Sequence, residues 1–465
     1  MTIAKTHIVA TRSLIGTALI LLAGLVYCRA VPDKSLDGYW LSDGYGTLAE
    51  IKGDHMRLYE VTSISCIESD ALVRQTGPTD SRGDRFLADK DSDPIFVTPG
   101  PTNDSRWFHV ADAASSMLFN RTQLPPKPCE SKTPNDPETN FEVFWRTFAA
   151  HHGFLKYRGV DWQAAYQTYR PRVNGTTKPE DLFDILSAMI EPLHDAHTYI
   201  RAEDIKRSFH GKRPGTLMLT DEEKRKTVEI IQKKYLEEPL RSWCNGHVRY
   251  ARLKQNAGYL RIDTFWGYAP GDHFDDGARA LDEALDEAMK DAQQLEGLVI
   301  DVRRNGGGSD PYGVQVAGRL TDKPYVAFVK RARDDADDPA RWTAPQPSTV
   351  RVSDRPRFLK QVVELIGPDT VSAGETFTMA LMGRQPHIMR VGENTQGVYS
   401  DVLSRHLPNG WRFGMPNEVF LTEDGKHFEA TGVPPEVRVP VFPREDFEQE
   451  RDSALEKALE LLSKN

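Results

Sequence analysis

Cysteine is scarce: four residues in 465, none in a CxxC pair. That excludes a disulfide-dense scaffold, and the lack of clustered His/Cys spacing argues against a structural zinc site. A basic excess is also missing. Lys and Arg number 59 against 68 Asp and Glu, a net charge of −9, which speaks against a nucleic-acid partner. The apolar run Leu14–Cys28 falls short of the about 20 residues that a membrane span requires. Gly and Pro are too few and too scattered for a fibrous chain. No GK[ST] P-loop, GxGxxG fingerprint or GxSxG elbow around Ser372 is present, so nothing calls for a cofactor. Lysine is absent between Lys360 and Lys426.

What is present is an ordinary globular composition, 39% hydrophobic and 27% charged, long enough for several domains. Residues 1–30 carry Lys5 and Arg12 ahead of the apolar run and read as a signal peptide cleaved after Ala30. An uncleaved N-terminal anchor, or lipidation at Cys28 despite the poorly fitting Tyr27, are the alternatives. Each makes the body extracytoplasmic, periplasmic or secreted, with membrane anchoring only through the N-terminus. An exported chain permits disulfides. Cys66 and Cys129 flank one β-rich segment and are expected to pair, leaving Cys244 free.

Residues 36–122 show short alternating runs broken by Gly, Asp, Asn and Pro, a pattern for a small, separate β-barrel or sandwich domain. A proline-rich linker spans 123–138. Residues 139–202 read as a helical subdomain, with a capping box at Thr177–Glu180 before an amphipathic run. Residues 203–256 are charged and mixed and read as a connector. From 257 to 445 strands alternate with helices: 258–263, 277–294, 297–302, 362–367 and 388–392 predict an α/β core with a largely parallel sheet. Residues 446–465 end in an amphipathic helix.

Three places can carry chemistry. Ser372 lies between a buried strand and a helix, where a sharp turn would expose its hydroxyl at the sheet's carboxyl end. The plain alternative is an N-cap. The loop Asn305-Gly306-Gly307-Gly308 follows a buried strand, and its glycines allow close backbone approach to a ligand, or merely a tight turn. His197, in His194-Asp195-Ala196-His197-Thr198, can be a base or a surface residue; with His194 it could pair on a metal, but no third ligand stands at a telling interval. Arg303 and Arg304 can bind a substrate carboxylate or remain solvated.

Together these pieces resemble the S41 peptidases, the superfamily of the C-terminal processing (tail-specific) protease, tricorn core and interphotoreceptor retinoid-binding protein. The resemblance rests on 141–162, LHDAHT (193–198), GYLRID (258–263), LEGLVIDVRRNGGG (295–308), TVSAGE (370–375), VGENTQG (391–397) and GVPPEV (432–437), in that order, and covers about 139–440. It implies a ClpP/crotonase-like α/β core with a helical N-terminal subdomain, preceded here by the β-rich domain. The segment before 125 lies outside the resemblance, and no PDZ module is evident. Processing proteases pair their Ser with a Lys about two dozen residues later; here Gly397 lies near that place. The resemblance therefore points to the tricorn-like branch. It assigns Ser372 as nucleophile, His197 as base and Glu429 as the carboxylate behind it, with Glu436 as the alternative. Backbone amides of Ala373 and of Gly307 or Gly308 would form the oxyanion hole. Ala196 stands where the tricorn core has a polar Ser. The expected activity is serine-type hydrolysis of peptides or unfolded proteins, without metal or cofactor. A ligand-binding protein on the same fold, like the retinoid-binding relatives, is the competing expectation, and an α/β-hydrolase esterase a weaker third.

Overall fold

The computed structural model describes residues 35–464 apart from 76–81, 91, 217–218, 334–337 and 339. The expected signal segment 1–30 lies outside the described residues. The described residues from Leu36 onward form one compact unit.

Eight strands close an antiparallel barrel: β1 (Gly38–Ser42), β2 (Thr47–Lys52), β3 (His55–Val61), β4 (Cys66–Arg74), β5 (Asp84–Leu87), β6 (Ile95–Pro99), β7 (Ser105–Val110) and β8 (Met117–Thr122). β1 pairs with both β2 and β8, so no strand edge is left open. Alternate residues point inward, and Trp40, Ile51, Met56, Phe86, Phe108 and Phe119 fill the interior. The guanidinium of Arg121 lies 4.2 Å from the Trp40 ring. The Cys66–Cys129 disulfide is formed, tying β4 to the short turn after the barrel, and Cys244 is free and buried.

The barrel is not separate from the rest. Its β1–β2 turn enters the remainder of the molecule, where the Tyr45 hydroxyl donates to Glu418 Oε1 at 2.5 Å and the Gly44 carbonyl meets His151 Nδ1 at 3.0 Å. These buried polar contacts hold the barrel in place.

Helix α1 (Pro137–His151) is capped by Asp136, whose side chain accepts from Thr139 N–H, and starts with proline at its first position. α2 (Trp162–Tyr169) and α3 (Pro179–Ile190) follow. The expected capping box at Thr177 does not form: Lys178 is the N-cap of α3, and the Thr177 hydroxyl instead accepts from Asn174 N–H. Strands β9 (Tyr199–Ala202) and β10 (Arg207–His210) join a four-stranded sheet that backs these helices.

The stretch 203–256 is more than a connector. It holds β10, helix α4 (Asp221–Lys234) with a Thr220/Glu223 capping box, and strands β11 (Arg241–Trp243) and β12 (Val248–Leu253). β11 and β12 open the central seven-stranded sheet, which continues through β13 (Ala257–Ile262), then α5 (Phe274–Ala292) and β14 (Gly297–Asp301). Next come α6 (Asp310–Gly318), β15 (Tyr325–Ala332), β16 (Gln346–Val350), β17 (Gln361–Ile366), α7 (Ala373–Met382) and β18 (Met389–Gly392). Then follow β19 (Val402–His406), β20 (Arg412–Pro416), β21 (Glu418–Leu421), β22 (Val437–Arg438), α8 (Arg444–Glu448) and α9 (Ser453–Leu462). In the central sheet β13, β14, β17, β18 and β22 run parallel, while β11 and β12 are antiparallel. α5 and α7 cover one face and α4 and α9 the other, which is why β14 is buried along its whole length. Parallel pairing of β14 with β17 brings the loops after both strands out side by side, and these loops carry Gly307 and Ser372.

Candidate active site

Ser372 ends the turn after β17 with φ 54° and ψ −121°, a backbone conformation that a non-glycine residue rarely adopts. The surroundings impose it. Ser372 N–H donates to the Val398 carbonyl at 3.0 Å, Val371 N–H donates to the Asn305 carbonyl at 2.9 Å, and the Ser372 carbonyl accepts from Glu375 and Thr376 N–H. Ser372 is also the N-cap of α7, and its N–H lies 3.3 Å from Glu375 Oε2 as well. The Glu375 carboxylate accepts from Gly397 N–H (2.6 Å) and Val398 N–H (2.8 Å), and burial pushes it up to about 7. The position near Gly397, where a lysine would serve the processing proteases, is therefore occupied by Glu375 and backbone.

The glycine loop lies directly against this turn. A Cβ on Gly307 would stand 2.7 Å from Ser372 Cβ, and Gly307 has φ +90°. Asn305, fully buried, fixes the loop: its Nδ2 donates to the Ile262 carbonyl, and its Oδ1 accepts from Gly307 N–H at 2.9 Å. The Gly307 amide is thereby committed to Asn305. The amides of Gly308 and Ala373 meet no acceptor among the described residues, and Ala373 is the first residue of α7, where the helix field is positive. The barrel also reaches this loop: Ser309 Oγ donates to the Asp112 carbonyl at 2.9 Å.

His197 sits in the turn before β9. Its backbone N–H donates to Asp195 Oδ1 at 2.7 Å, and its Nδ1 has no hydrogen-bond partner among the described residues. Burial pushes its pKa down, while the charges of Asp195 and Asp401 pull it back up. The Ser400 backbone also faces the ring. Segment 398–401 therefore runs from Ser372, bonded to the Val398 carbonyl, to His197, beside Ser400 and Asp401.

Glu429 is buried and does not bond the imidazole. Its Oε2 accepts from Tyr399 N–H (3.1 Å), and its Oε1 lies 2.7 Å from Arg158 Nη2. The same nitrogen is 2.7 Å from Asp195 Oδ2. Glu429 thus reaches the His197 turn through Arg158 and Asp195. Burial and the Asp195 charge raise its pKa against the pull of Arg158. Glu436 lies elsewhere, on the β18–β22 side, paired with His387 and Arg390.

Arg303 neither binds substrate nor faces solvent: it is fully buried between Asp301 (2.7 Å) and Asp452 (2.8 Å). Arg304 remains partly accessible. A further buried group adjoins His197. Lys330 pairs with Asp401 and, at 3.1 Å, with Glu418, and Asp310 accepts from the Thr376 hydroxyl at 2.6 Å. No group of three or more His, Cys, Asp or Glu poised to hold a metal ion occurs among the described residues. No helix among them is long and apolar enough to cross a membrane.

Arg158, Asp401 and Lys330 join this constellation without having been singled out in the sequence. Asn305 belongs to the glycine loop that the sequence marks as a candidate. Arg158 falls within the 141–162 segment, but nothing local marks its role, because its partners Asp195 and Glu429 lie farther along the chain.

Residues 256–439 match peptidase family S41, and residues 133–191 match the tricorn protease C1 domain. The chain is 26% identical over 221 residues to a chloroplastic C-terminal processing peptidase from Tetradesmus obliquus, covering 46% of this chain and 43% of that protein. It therefore spans less than half the length of that relative. Among solved structures, a candidate peptidase from Parabacteroides merdae is 26% identical with a TM-score of 0.59, over 71% of this chain and 97% of that one. Mature CPAF in complex with lactacystin shares the fold at 14% identity and a TM-score of 0.53, over 70% of this chain and 98% of that one. The α/β core over residues 256–439 is thus matched to peptidase family S41, behind a helical segment matched to the tricorn protease C1 domain.

Proposed function

We propose that the protein is an exported serine-type peptidase that hydrolyses peptide bonds with Ser372 as nucleophile and His197 as general base. The observation that carries this reading is the strained Ser372 at the start of α7, between two unengaged backbone amides and beside the segment that also borders His197. His197, neutral because burial depresses its pKa, accepts the Ser372 proton as Oγ attacks the scissile carbonyl. The oxyanion forms against Ala373 and Gly308 N–H, with Gly307 shaping the loop rather than donating. The imidazolium returns its proton to the leaving amine. Water, deprotonated by the same imidazole, then releases the acyl group and restores the serine.

Glu429 acts at one remove. With Arg158 and Asp195 it sets the His197 turn, while the Asp195 and Asp401 charges favour the imidazolium. No step requires a metal or cofactor. Export rests on residues 1–30, and the substrate class is peptide or unfolded protein.

Hydrolysis of a casein-type unfolded protein tests the reading. The wild-type protein should cleave it, and Ser372→Ala and His197→Ala should each lose activity by a similar factor, because residues acting as one unit are not additive. Full turnover in a clean Ser372→Ala preparation would refute it.

A further inference from the structure

On the α4 face of the central sheet lies a cleft of about 920 Å³, remote from the barrel strands in sequence and lined by α4, β12, β13 and the residues that follow β13 and β14. Its lining is mostly cationic, with Lys224 paired to Asp221 at 3.1 Å and Lys233 to Glu450 at 3.6 Å beyond the rim. Lys224, Arg225, Lys233, Arg249, Arg261 and Arg304 line it against Glu229 and Asp263 alone, in a chain whose net charge is −9. Asp263 is already engaged, bonding Arg249 at 2.6 Å and Arg261 at 2.8 Å. Arg304 has no acidic partner within ion-pair distance among the described residues, and its Nη1 donates only to the Lys224 carbonyl at 3.3 Å. Burial and the Arg261 charge lower its pKa against the weaker pull of Asp263, Asp301 and Asp369. Arg225, exposed on α4, likewise forms no ion pair among the described residues.

One wall of the cleft leads along the chain into the glycine loop of the candidate active site. Arg304 immediately precedes the Asn305–Gly308 loop. The Asp263 carbonyl accepts from Gly306 N–H at 3.2 Å, and the Thr264 hydroxyl donates to the Gly307 carbonyl at 2.7 Å. The residues that wall the cleft thus also anchor the loop that packs on Ser372. A cationic trough of this size favours an extended anionic chain over a single small anion.

We propose that this cleft binds an acidic segment of the polypeptide substrate, so that chains carrying Asp or Glu at a distance from the scissile bond are selected. The inference rests on the peptidase reading and names its substrate class.

The test uses two peptides with one cleavable centre, one flanked by an Asp/Glu run and the other by the matching Asn/Gln run. Binding is measured by fluorescence anisotropy to the Ser372→Ala protein, and turnover with the wild type. The acidic peptide should bind at least roughly tenfold tighter, a preference that falls with added salt. Arg225→Glu, an exposed helix position, should abolish that preference while cleavage of the neutral peptide stays unchanged. Arg304→Gln should weaken it as well. Equal binding of the two peptides, or a preference untouched by Arg225→Glu, overturns the cleft assignment and leaves the peptidase reading standing. Selective binding without turnover by the wild type supports the cleft and refutes the peptidase reading. Inorganic polyphosphate that binds the cleft where the acidic peptide does not also overturns the proposal.

Discussion

Gly307 lies so close to Ser372 that a Cβ on the glycine would stand 2.7 Å from the serine Cβ and 3.0 Å from the Val371 carbonyl. Both neighbours belong to a turn fixed by backbone hydrogen bonds, so neither can yield cheaply. Gly307 also needs φ +90°, which an L side chain resists. Gly307→Ala is expected to displace the glycine loop and cut peptidase turnover by about 100-fold or more, the scale of a lost oxyanion donor. Steady-state kinetics, with circular dichroism to verify folding, checks this.

Ser372 itself holds a conformation that costs about 1–3 kcal/mol for a residue with a Cβ. Ser372→Ala keeps that cost and should melt within a few degrees of wild type. Ser372→Gly relieves it and should melt higher than Ser372→Ala, with neither variant turning over peptide. Differential scanning calorimetry of the three proteins decides; a glycine variant less stable than the alanine variant would show that the turn is not strained.

Arg158 places one nitrogen 2.7 Å from both Asp195 and Glu429. Removing it leaves two buried carboxylates facing each other without a counter-charge. Arg158→Ala is expected to destabilise the fold by about 3–5 kcal/mol and to lose most activity. Glu429→Gln, which keeps an acceptor for either Arg158 or Tyr399 but not both, should cost less of both. Urea titration and kinetics of the two variants measure the difference.

These contacts mark where the sequence was readable. The strands around 258–263 and 297–302 are apolar runs between turn residues, so their place in a buried sheet was plain, as was the alternation of the barrel strands. Helix α4 was not read because it is charged nearly throughout; only Thr227, Ile230 and Ile231 of it are buried. Its Thr220/Glu223 capping box was the available signal. Arg303 and Arg304 look alike in sequence, yet Asp452, brought in by the start of α9, buries the first and leaves the second in the cleft. The Arg158 bridge was invisible for a related reason: 271 residues separate it from Glu429. Long-range pairing of charges leaves no periodic trace in a sequence.

The His197 environment fixes the sign of the pH dependence. Burial lowers its pKa from 6.5, so the imidazole is free to accept a proton at lower pH than an exposed histidine. kcat/KM should therefore rise with pH along a limb centred below 6.5. Asp195 favours the charged ring, so Asp195→Asn should move that limb further down. A limb at or above 6.5 in the wild type would contradict the burial argument.

The central claim is that Ser372 is the nucleophile and is activated by His197. The most direct measurement is labelling with a serine-reactive fluorophosphonate, followed by peptide mapping. The account predicts one phosphonylated residue, Ser372, with labelling lost in Ser372→Ala and strongly slowed in His197→Ala. A label on any other residue, or undiminished labelling of the Ser372→Ala protein, would contradict it.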